Sequence, residues 1–247
     1  MPKNRPMRPR AQRNKLTPAS LSTIRQTIIC CDLCPRLRTH CARVAQEKKF
    51  AYRTEDYWGK PVPGFGNHRA RVLVVGLAPA AHGANRTGRV FTGDGSGDFL
   101  MRAMHSAGFA NIPTARHIRD GLRLYDAYIT AAVRCAPPAN KPTRQEIENC
   151  QPHLEAEVAA LSNLKIVVAL GRIAFDTYWR VMRSWGIRPS PKPAFKHGLL
   201  HTPDGGPTLI ASYHPSRQNT NTGRLTPPML VSIFRTARRL IASAASK

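Results

Sequence analysis

Acidic residues are scarce in this chain: only 14 Asp and Glu accompany 38 Lys and Arg, and the formal net charge is +24. Enzymes that cleave phosphodiesters with magnesium need closely spaced carboxylates to hold the ion. Asp94 has no partner at the spacing of such a site. A metal-dependent nuclease or phosphohydrolase therefore fits this sequence poorly.

Long apolar runs are also missing. No stretch approaches the roughly 20 residues of a membrane span, and the N-terminus lacks the apolar segment of a signal peptide. We therefore expect a soluble cytoplasmic protein with no membrane partner. In a reducing compartment the six cysteines are expected to be metal ligands or buried thiols, since disulfides are rare there.

Positive charge is what the chain has in excess, and such an excess predicts a polyanionic partner. Residues 1–19 contain several cations, prolines and no acid, which is typical of a disordered arm that contacts phosphates without sequence preference. The remainder stays basic, and with 42% hydrophobic residues overall the chain can bury a full core. We expect residues 20–247 to form a single domain.

Short apolar runs alternate with segments of helical spacing. This alternation predicts an α/β fold with a parallel sheet between helices. The predicted strands are 71–75, 128–133, 166–170 and 208–211, and the predicted helices are 21–31, 98–107, 143–161, 171–178 and 228–241. Residues 55–69 are predicted to be an ordered loop lining the cleft, and 184–207 a Pro-rich insertion.

Two Gly- and Pro-containing loops, residues 76–83 and 212–219, directly follow predicted strands. Open α/β sheets place their ligand chemistry beyond the carboxyl ends of parallel strands. We therefore expect the two loops to form one site.

Four cysteines form a candidate metal-binding set. Cys31 and Cys34 are a Cys-x-x-Cys pair, and Cys135 and Cys150 can supply two further thiolates. Four thiolates suit zinc or an iron-sulfur cluster, and the spacing does not separate the two. The alternative is a redox-active pair with two buried thiols elsewhere. The other two cysteines, Cys30 and Cys41, are expected to be packing residues.

Several motifs occur in an order that resembles family 5 of the uracil-DNA glycosylase superfamily. They are Cys31 with Cys34, the loop 61–66, the loop 76–83, residues 85–94, residues 133–142 and residues 214–223. The resemblance runs from about residue 31 to 241. It implies a three-layer α/β/α sandwich with a central four-stranded parallel sheet, and it implies hydrolysis of the N-glycosidic bond of a deaminated base in DNA.

The resemblance also implies a cofactor and a set of partners. The cofactor is a structural [4Fe-4S] cluster on Cys31, Cys34, Cys135 and Cys150. The partner is double-stranded DNA that contains deaminated bases, with single-stranded DNA as a second candidate, bound by a monomer. A base inside a duplex has to be flipped out before it can be cleaved. Uracil is the expected base, and hypoxanthine is a further hypothesis. The alternative is a basic, non-catalytic iron-sulfur or zinc module that only binds nucleic acid.

Three residues carry the implied chemistry. His214 donates a hydrogen bond to uracil O2 as negative charge gathers on the leaving base, while Asp94 and Asn140 position water or stabilise the sugar cation. Other families of the superfamily carry an acidic or amide residue at the position of Ala78, and that residue orients the water. Alanine is unable to do so. From the sequence alone Asp94 also fits a turn or a helix cap, and Asn140 an ordinary loop residue.

The remaining candidates contact substrate or DNA. Phe91 is expected to stack on the flipped base, although a core position is the alternative. His82 either contacts substrate or caps the following turn. The substrate-binding set is Ala78, His82, Phe91 and Asn219, and the DNA-binding set is Arg86, Arg89, Ser216, Arg217 and Gln218; Arg134 is a further candidate for a backbone contact.

Overall fold

A computed structural model of the chain describes residues 19–188, 191 and 193–243. The predicted basic arm, apart from Ala19, lies outside the described residues. At the centre of the fold is one sheet of six strands in the order β1-β3-β2-β4-β6-β5. The strands are β1 Phe65–Gly66, β2 Val72–Gly76, β3 Ala127–Ala131, β4 Ile166–Leu170, β5 Leu200–His201 and β6 Thr208–Ser212.

The four inner strands β3, β2, β4 and β6 are parallel. They are almost entirely buried, as expected for strands covered on both faces by helices. Val74 of β2, for example, lies between Ile129 of β3 and Val168 of β4. The predicted four-stranded parallel sheet is confirmed. The two edge strands, β1 and β5, have two residues each and run antiparallel to their neighbours.

Eight helices accompany the sheet in the described part of the chain. They are α1 Leu21–Ile29, α2 Pro35–Glu47, α3 Ala84–Thr87, α4 Gly95–Ser106, α5 Arg144–Ala160, α6 Arg172–Ser184, α7 Arg217–Asn221 and α8 Pro227–Ser243. Apolar residues of α4 and α8 pack on one face of the sheet, and those of α5 and α6 pack on the other. The result is the expected three-layer α/β/α sandwich. Among the described residues, no helix combines the length and apolar character needed to cross a bilayer.

Local sequence signals set several helix ends. Thr143 and Glu146 form the predicted capping box of α5, because each side chain accepts a hydrogen bond from the other's backbone N–H. Helix α2 was not predicted beyond the turn at its start. It begins with Pro35 in the first turn, where the missing N–H costs nothing, and it buries Leu37, Cys41 and Val44 along one face.

Candidate active site

The loops that follow β2, β4 and β6 emerge at the same edge of the sheet, because these strands are parallel. The predicted loops 76–83 and 212–219 begin here. The loop after β4 is tied to the last of them, since the Gly171 N–H donates to the Ser212 carbonyl at 2.7 Å. The candidate site is built at this carboxyl edge, as the sequence predicted.

His214 and Phe91 meet at this edge. Their ring centroids lie 5.8 Å apart with a 30° angle between the ring planes. The Phe91 ring lies over Gly76 so closely that a Cβ there would be 2.6 Å from its ring carbons. Phe91 is half-buried against the core and has a φ of 50°, an unusual value for a bulky residue. Strained backbone of this kind is common at functional sites.

The loop that carries His214 is fixed from both sides. The Asn219 side-chain amide donates to the His214 carbonyl oxygen at 2.8 Å. The Tyr213 N–H donates to Nδ1 of His197 at 3.3 Å, and the two rings stack at 5.2 Å. Burial lowers the pKa of His214 to about 4. Its imidazole is therefore neutral at pH 7 and has one N–H to donate.

Asp94 combines two contacts. One carboxylate oxygen, Oδ1, accepts the Gly97 N–H at 3.0 Å and caps α4. The other oxygen, Oδ2, lies against Gly83 in the loop after β2, where any Cβ would overlap it. Burial raises the pKa of Asp94, and hydrogen bonds from backbone N–H groups partly oppose that change. The helix-cap interpretation is confirmed, and the second oxygen remains next to the 76–83 loop.

Asn140 ends a short 3-10 turn, Pro138–Asn140, in the loop after β3. Its backbone is left-handed with a φ of 57°, and its side chain is exposed. Its backbone N–H donates to the Pro137 carbonyl at 3.1 Å. Within the described residues no group hydrogen-bonds its side chain, so the amide is free to hold a water or a ligand. Its catalytic role stays a prediction.

The first motif loop is held from outside the sheet. Nδ1 of His82 lies 3.0 Å from the Tyr57 hydroxyl, and the His82 carbonyl accepts the Arg86 Nε–H at 2.8 Å. Burial lowers the pKa of His82, and the charges of Lys49 and Arg86 add to the effect. Ala78, in the same loop, packs against a buried cluster of cysteines. The loop therefore lies between this cluster and the candidate site.

That cluster contains three of the four predicted metal ligands. Cys34, Cys135 and Cys150 are buried in it, and the half-buried Cys31 is close enough for its charge to act on the pKa of Cys34. Burial raises the pKa of the Cys34 thiol, and it raises that of Cys150 to about 12. Thiols placed this way form stable thiolates only beside a cation.

Four cysteine sulfurs are a donor set that fits either zinc or an iron-sulfur cluster. In the described part of the chain, no three Cys, His, Asp or Glu side chains converge closely enough to hold a single metal ion. Thiolates around one zinc lie ~4 Å apart, as follows from Zn–S bonds of about 2.3 Å. In a [4Fe-4S] cluster each thiolate binds a different iron, so the four sulfurs stand farther apart. Asn149 also donates a hydrogen bond to Cys34 Sγ at 3.5 Å, and such bonds tune cluster sulfurs.

The other two cysteines have different surroundings. Cys41 is buried in the same cluster, and its sulfur accepts the Ala136 N–H at 3.2 Å. The prediction that it is a packing residue is confirmed. Cys30 is the residue directly after α1 and is exposed, so it is not a packing residue, contrary to the prediction.

Comparison with known proteins decides the family. The model of the uracil DNA glycosylase superfamily matches residues 63–238. The chain belongs to the uracil-DNA glycosylase superfamily. It is 50% identical over 215 residues to a type-5 uracil-DNA glycosylase of Thermus thermophilus, covering 87% of this chain and 95% of that protein. The type-5 enzymes of Mycobacterium leprae and Pyrobaculum aerophilum are 48% and 44% identical. The match to the Mycobacterium enzyme covers 90% of this chain and 96% of that protein. The match to the Pyrobaculum enzyme covers 85% of this chain and 88% of that protein.

Three arginines predicted to contact DNA in this superfamily member are instead buried in ion pairs. Arg86 is 7% exposed, with Glu55 on one guanidinium nitrogen and the Gly93 carbonyl on another. Arg89 is 4% exposed and pairs with Asp120 at 2.6 Å. Both guanidinium groups are already engaged, so little of either side chain is open to DNA, and a DNA contact by Arg86 or Arg89 stays a prediction. The third, Arg134, pairs with Glu157 at 2.7 Å, and both side chains are 1% exposed.

The loop after His214 does keep groups open to DNA. Arg217 and Gln218 are exposed at the start of α7, and Ser216 caps that helix by accepting the Asn219 N–H. The positive charge of Arg217 is the smallest of the effects that oppose the raised pKa of Asp94. Asn219 was predicted to bind substrate, whereas its amide nitrogen holds the backbone of His214.

Some contacts of this glycosylase-superfamily site had no signal in the sequence. Tyr57 contacts the 76–83 loop and His197 contacts the 212–219 loop, each from a distant segment of the chain. No pattern in the sequence around either residue predicts these contacts. Gly83 had a signal, since glycine in a loop after a strand marks a close approach. The loop 61–66 contributes to a cavity of about 280 Å³ beside Arg25, Arg89 and Arg123. That cavity does not contain His214, Asp94 or Asn140.

Proposed function

We propose that this chain is a uracil-DNA glycosylase of base excision repair. It flips a uracil out of DNA and hydrolyses the bond between N1 of the base and C1′ of the sugar, leaving an abasic site. The observation that carries the proposal is the contact between the Phe91 and His214 rings at the carboxyl edge of the sheet, with Asp94 against the 76–83 loop, in a chain of this family. The type-5 enzymes it resembles carry the same activity in their names.

The transition state has positive charge on the sugar and negative charge on the departing base. The flipped uracil stacks on the Phe91 ring, and the neutral His214 donates its N–H to uracil O2 as the bonding electron pair moves to the base. A donor that is already in place costs no reorganisation, and removing one such donor typically slows an enzyme by roughly 10²- to 10³-fold. A neutral histidine suits this role because it draws no counter-ion into the pocket.

Asp94 and Asn140 act on the other side of the broken bond. Oδ2 of Asp94, which is not used by the helix cap, stabilises the cationic sugar or polarises the attacking water. The exposed amide of Asn140 holds that water. Water oxygen bonds to C1′, and its proton leaves with the uracil anion or passes to the carboxylate. Ala78 contributes no polar group, so the water depends on these two residues.

Cys31, Cys34, Cys135 and Cys150 would hold a [4Fe-4S] cluster with a structural role. When bound, it cross-links the turn after α1 to the loop after β3 and to α5. Neutralising buried thiolates in this way stabilises the folded protein. The same loop after β3 continues to Asn140, so loss of the cluster is expected to disturb the position of that residue.

A wider hypothesis is that the enzyme also releases the deamination products of purines. Without a polar side chain at Ala78, that side of the pocket has no group that would be left unpaired by a base other than uracil. Release of hypoxanthine from a duplex containing inosine tests this point.

The activity is tested with a labelled duplex that carries one uracil, followed by hot alkali, which cleaves at abasic sites. We expect alkali-dependent cleavage at the uracil alone and no requirement for magnesium. His214→Ala and Asp94→Asn should lower the single-turnover rate by about 10² or more. His68→Ala, a change at an exposed histidine outside the site, is the control. Tight DNA binding without base release, or a strict magnesium requirement, would refute the proposal and favour a binding module or a nuclease.

A further inference from the structure

Phe50 is the most exposed large apolar side chain in the described part of the protein. It is 79% exposed, whereas Leu33, the next in rank, is 58% exposed. It lies on the 3-10 turn Phe50–Tyr52, which follows α2. Single exposed apolar residues are common on protein surfaces. Phe50 therefore needs further observations before a function can be assigned to it.

The first observation is the way its ring is presented. The Arg53 guanidinium lies 4.2 Å from the ring centroid, and its Nη1 donates to the Phe50 carbonyl at 3.2 Å. The cation supports one face of the ring and leaves most of the side chain in water. A supported, exposed ring is the kind of platform on which nucleobases stack, and an adjacent arginine adds a cation–π contribution.

The second observation is charge. Residues 48–53, here named the Phe50 turn, contain Lys48, Lys49 and Arg53 and no acid. Three cations within three positions of an exposed aromatic residue match the phosphates and bases of a nucleic acid strand. A protein partner with an apolar pocket would not need this density of positive charge.

The third observation is that the Phe50 turn is attached to the candidate active site. The Lys49 N–H donates to the Tyr57 hydroxyl at 3.3 Å, and that hydroxyl lies 3.0 Å from Nδ1 of His82. On the other side, the Arg86 guanidinium lies 3.9 Å above the Tyr52 ring and donates to the Gly93 carbonyl at 2.9 Å. Gly93 directly precedes Asp94 in the chain. The turn is thus fixed to both the 76–83 loop and the loop that presents Asp94.

We propose that the Phe50 turn is a second DNA-contacting element, in which the Phe50 ring stacks on a nucleobase near the flipped nucleotide and the cations contact flanking phosphates. The proposal rests on the proposed glycosylase function. Flipping a base breaks stacking in the duplex, and a protein ring that restores part of it stabilises the opened DNA. The Phe50 turn would act alongside Arg217 and Gln218, which are exposed after His214.

The test compares three full-length variants with the unchanged protein. Phe50→Ala removes the ring, Phe50→Trp keeps a stacking surface, and Tyr125→Ala removes an aromatic side chain that is 49% exposed at the opposite edge of the sheet, just before β3. Affinity is measured on a duplex with an abasic site, and single-turnover cleavage on a duplex with one uracil. A 2-aminopurine beside the uracil reports stacking through its fluorescence.

We expect Phe50→Ala to weaken DNA binding by about 5- to 150-fold, the range for losing one base–aromatic stack. Phe50→Trp should retain the affinity, Tyr125→Ala should leave it unchanged, and only Phe50→Ala should alter the 2-aminopurine signal. Equal affinity of Phe50→Ala and the unchanged protein would overturn the proposal. So would an equal loss in Phe50→Ala and Tyr125→Ala.

The design separates this inference from the proposed function. If the unchanged protein releases no uracil but Phe50→Ala still weakens DNA binding selectively, the glycosylase proposal fails and the DNA-contacting turn stands. If the unchanged protein releases uracil and Phe50→Ala binds normally, the turn fails and the glycosylase proposal stands.

Discussion

Replacing His214 with glutamine removes an acid-sensitive group from the folded protein. Burial lowers the pKa of His214 from 6.5 to about 4. Below pH 6.5 the unfolded chain therefore binds a proton that the folded protein does not, and stability falls as the pH falls toward 4. At 1.36 kcal/mol per pH unit, the loss due to this one side chain is about 3 kcal/mol near pH 4.

The assay is denaturant unfolding at pH 7 and at steps down to about pH 4, for the unchanged protein and for His214→Gln. Other histidines, such as the half-buried His82 and His197 and the buried His153, also have pKa values lowered by burial. They titrate in both proteins, so the difference between the two pH profiles isolates His214. We expect the unchanged protein to lose about 3 kcal/mol more than the variant. Parallel profiles would refute the inference that His214 is held neutral by burial.

Three further predictions concern the site and its support. Glu157→Ala leaves the buried Arg134 without its partner and should cost about 3–5 kcal/mol in denaturant unfolding; a loss below about 1 kcal/mol would contradict the ion pair's role. Gly83→Ala places a methyl against Oδ2 of Asp94 and should slow single-turnover cleavage at least about tenfold, whereas Gly95→Ala, which has room, should not. Asp94→Ala should lose about 1 kcal/mol of helix-cap stability that Asp94→Asn retains, while both slow cleavage; equal stability of the two variants would argue against the cap.

The parts of the fold that the sequence predicted are those with a local signal. Residues 166–170 form an uninterrupted run of apolar residues, and β4 has the same bounds. Thr143 and Glu146 stand three residues apart, as a capping box requires. In each case the residues that make the contact are neighbours in the chain, so the pattern and the structure carry the same information.

Elements that depend on distant partners had no such signal. Strands β1 and β5 have two residues each and exist only because they pair with β3 and β6. Arg86 and Arg89 look like surface charges in the sequence. Each is buried and forms an ion pair with an acid 31 residues away, Arg86 with Glu55 and Arg89 with Asp120. A chain with so few acids uses some of them to neutralise buried arginines, which no spacing rule foresees.

The position of Asp94 shows why the alternatives drawn from sequence were not exclusive. In the sequence Asp94 fits either a helix cap or a catalytic carboxylate, but the cap hydrogen bond from Gly97 uses only Oδ1. The same bond that stabilises α4 fixes the orientation of the second oxygen, which then depends on Gly83 having no side chain. Gly76 makes room for the Phe91 ring in the same way. Both glycines are visible in the sequence, yet the side chain that fills the space above each one is 15 or fewer positions away along the chain and reaches it only through the fold. For such loops, a glycine after a strand predicts that something approaches the backbone, and the structure is needed to identify what it is.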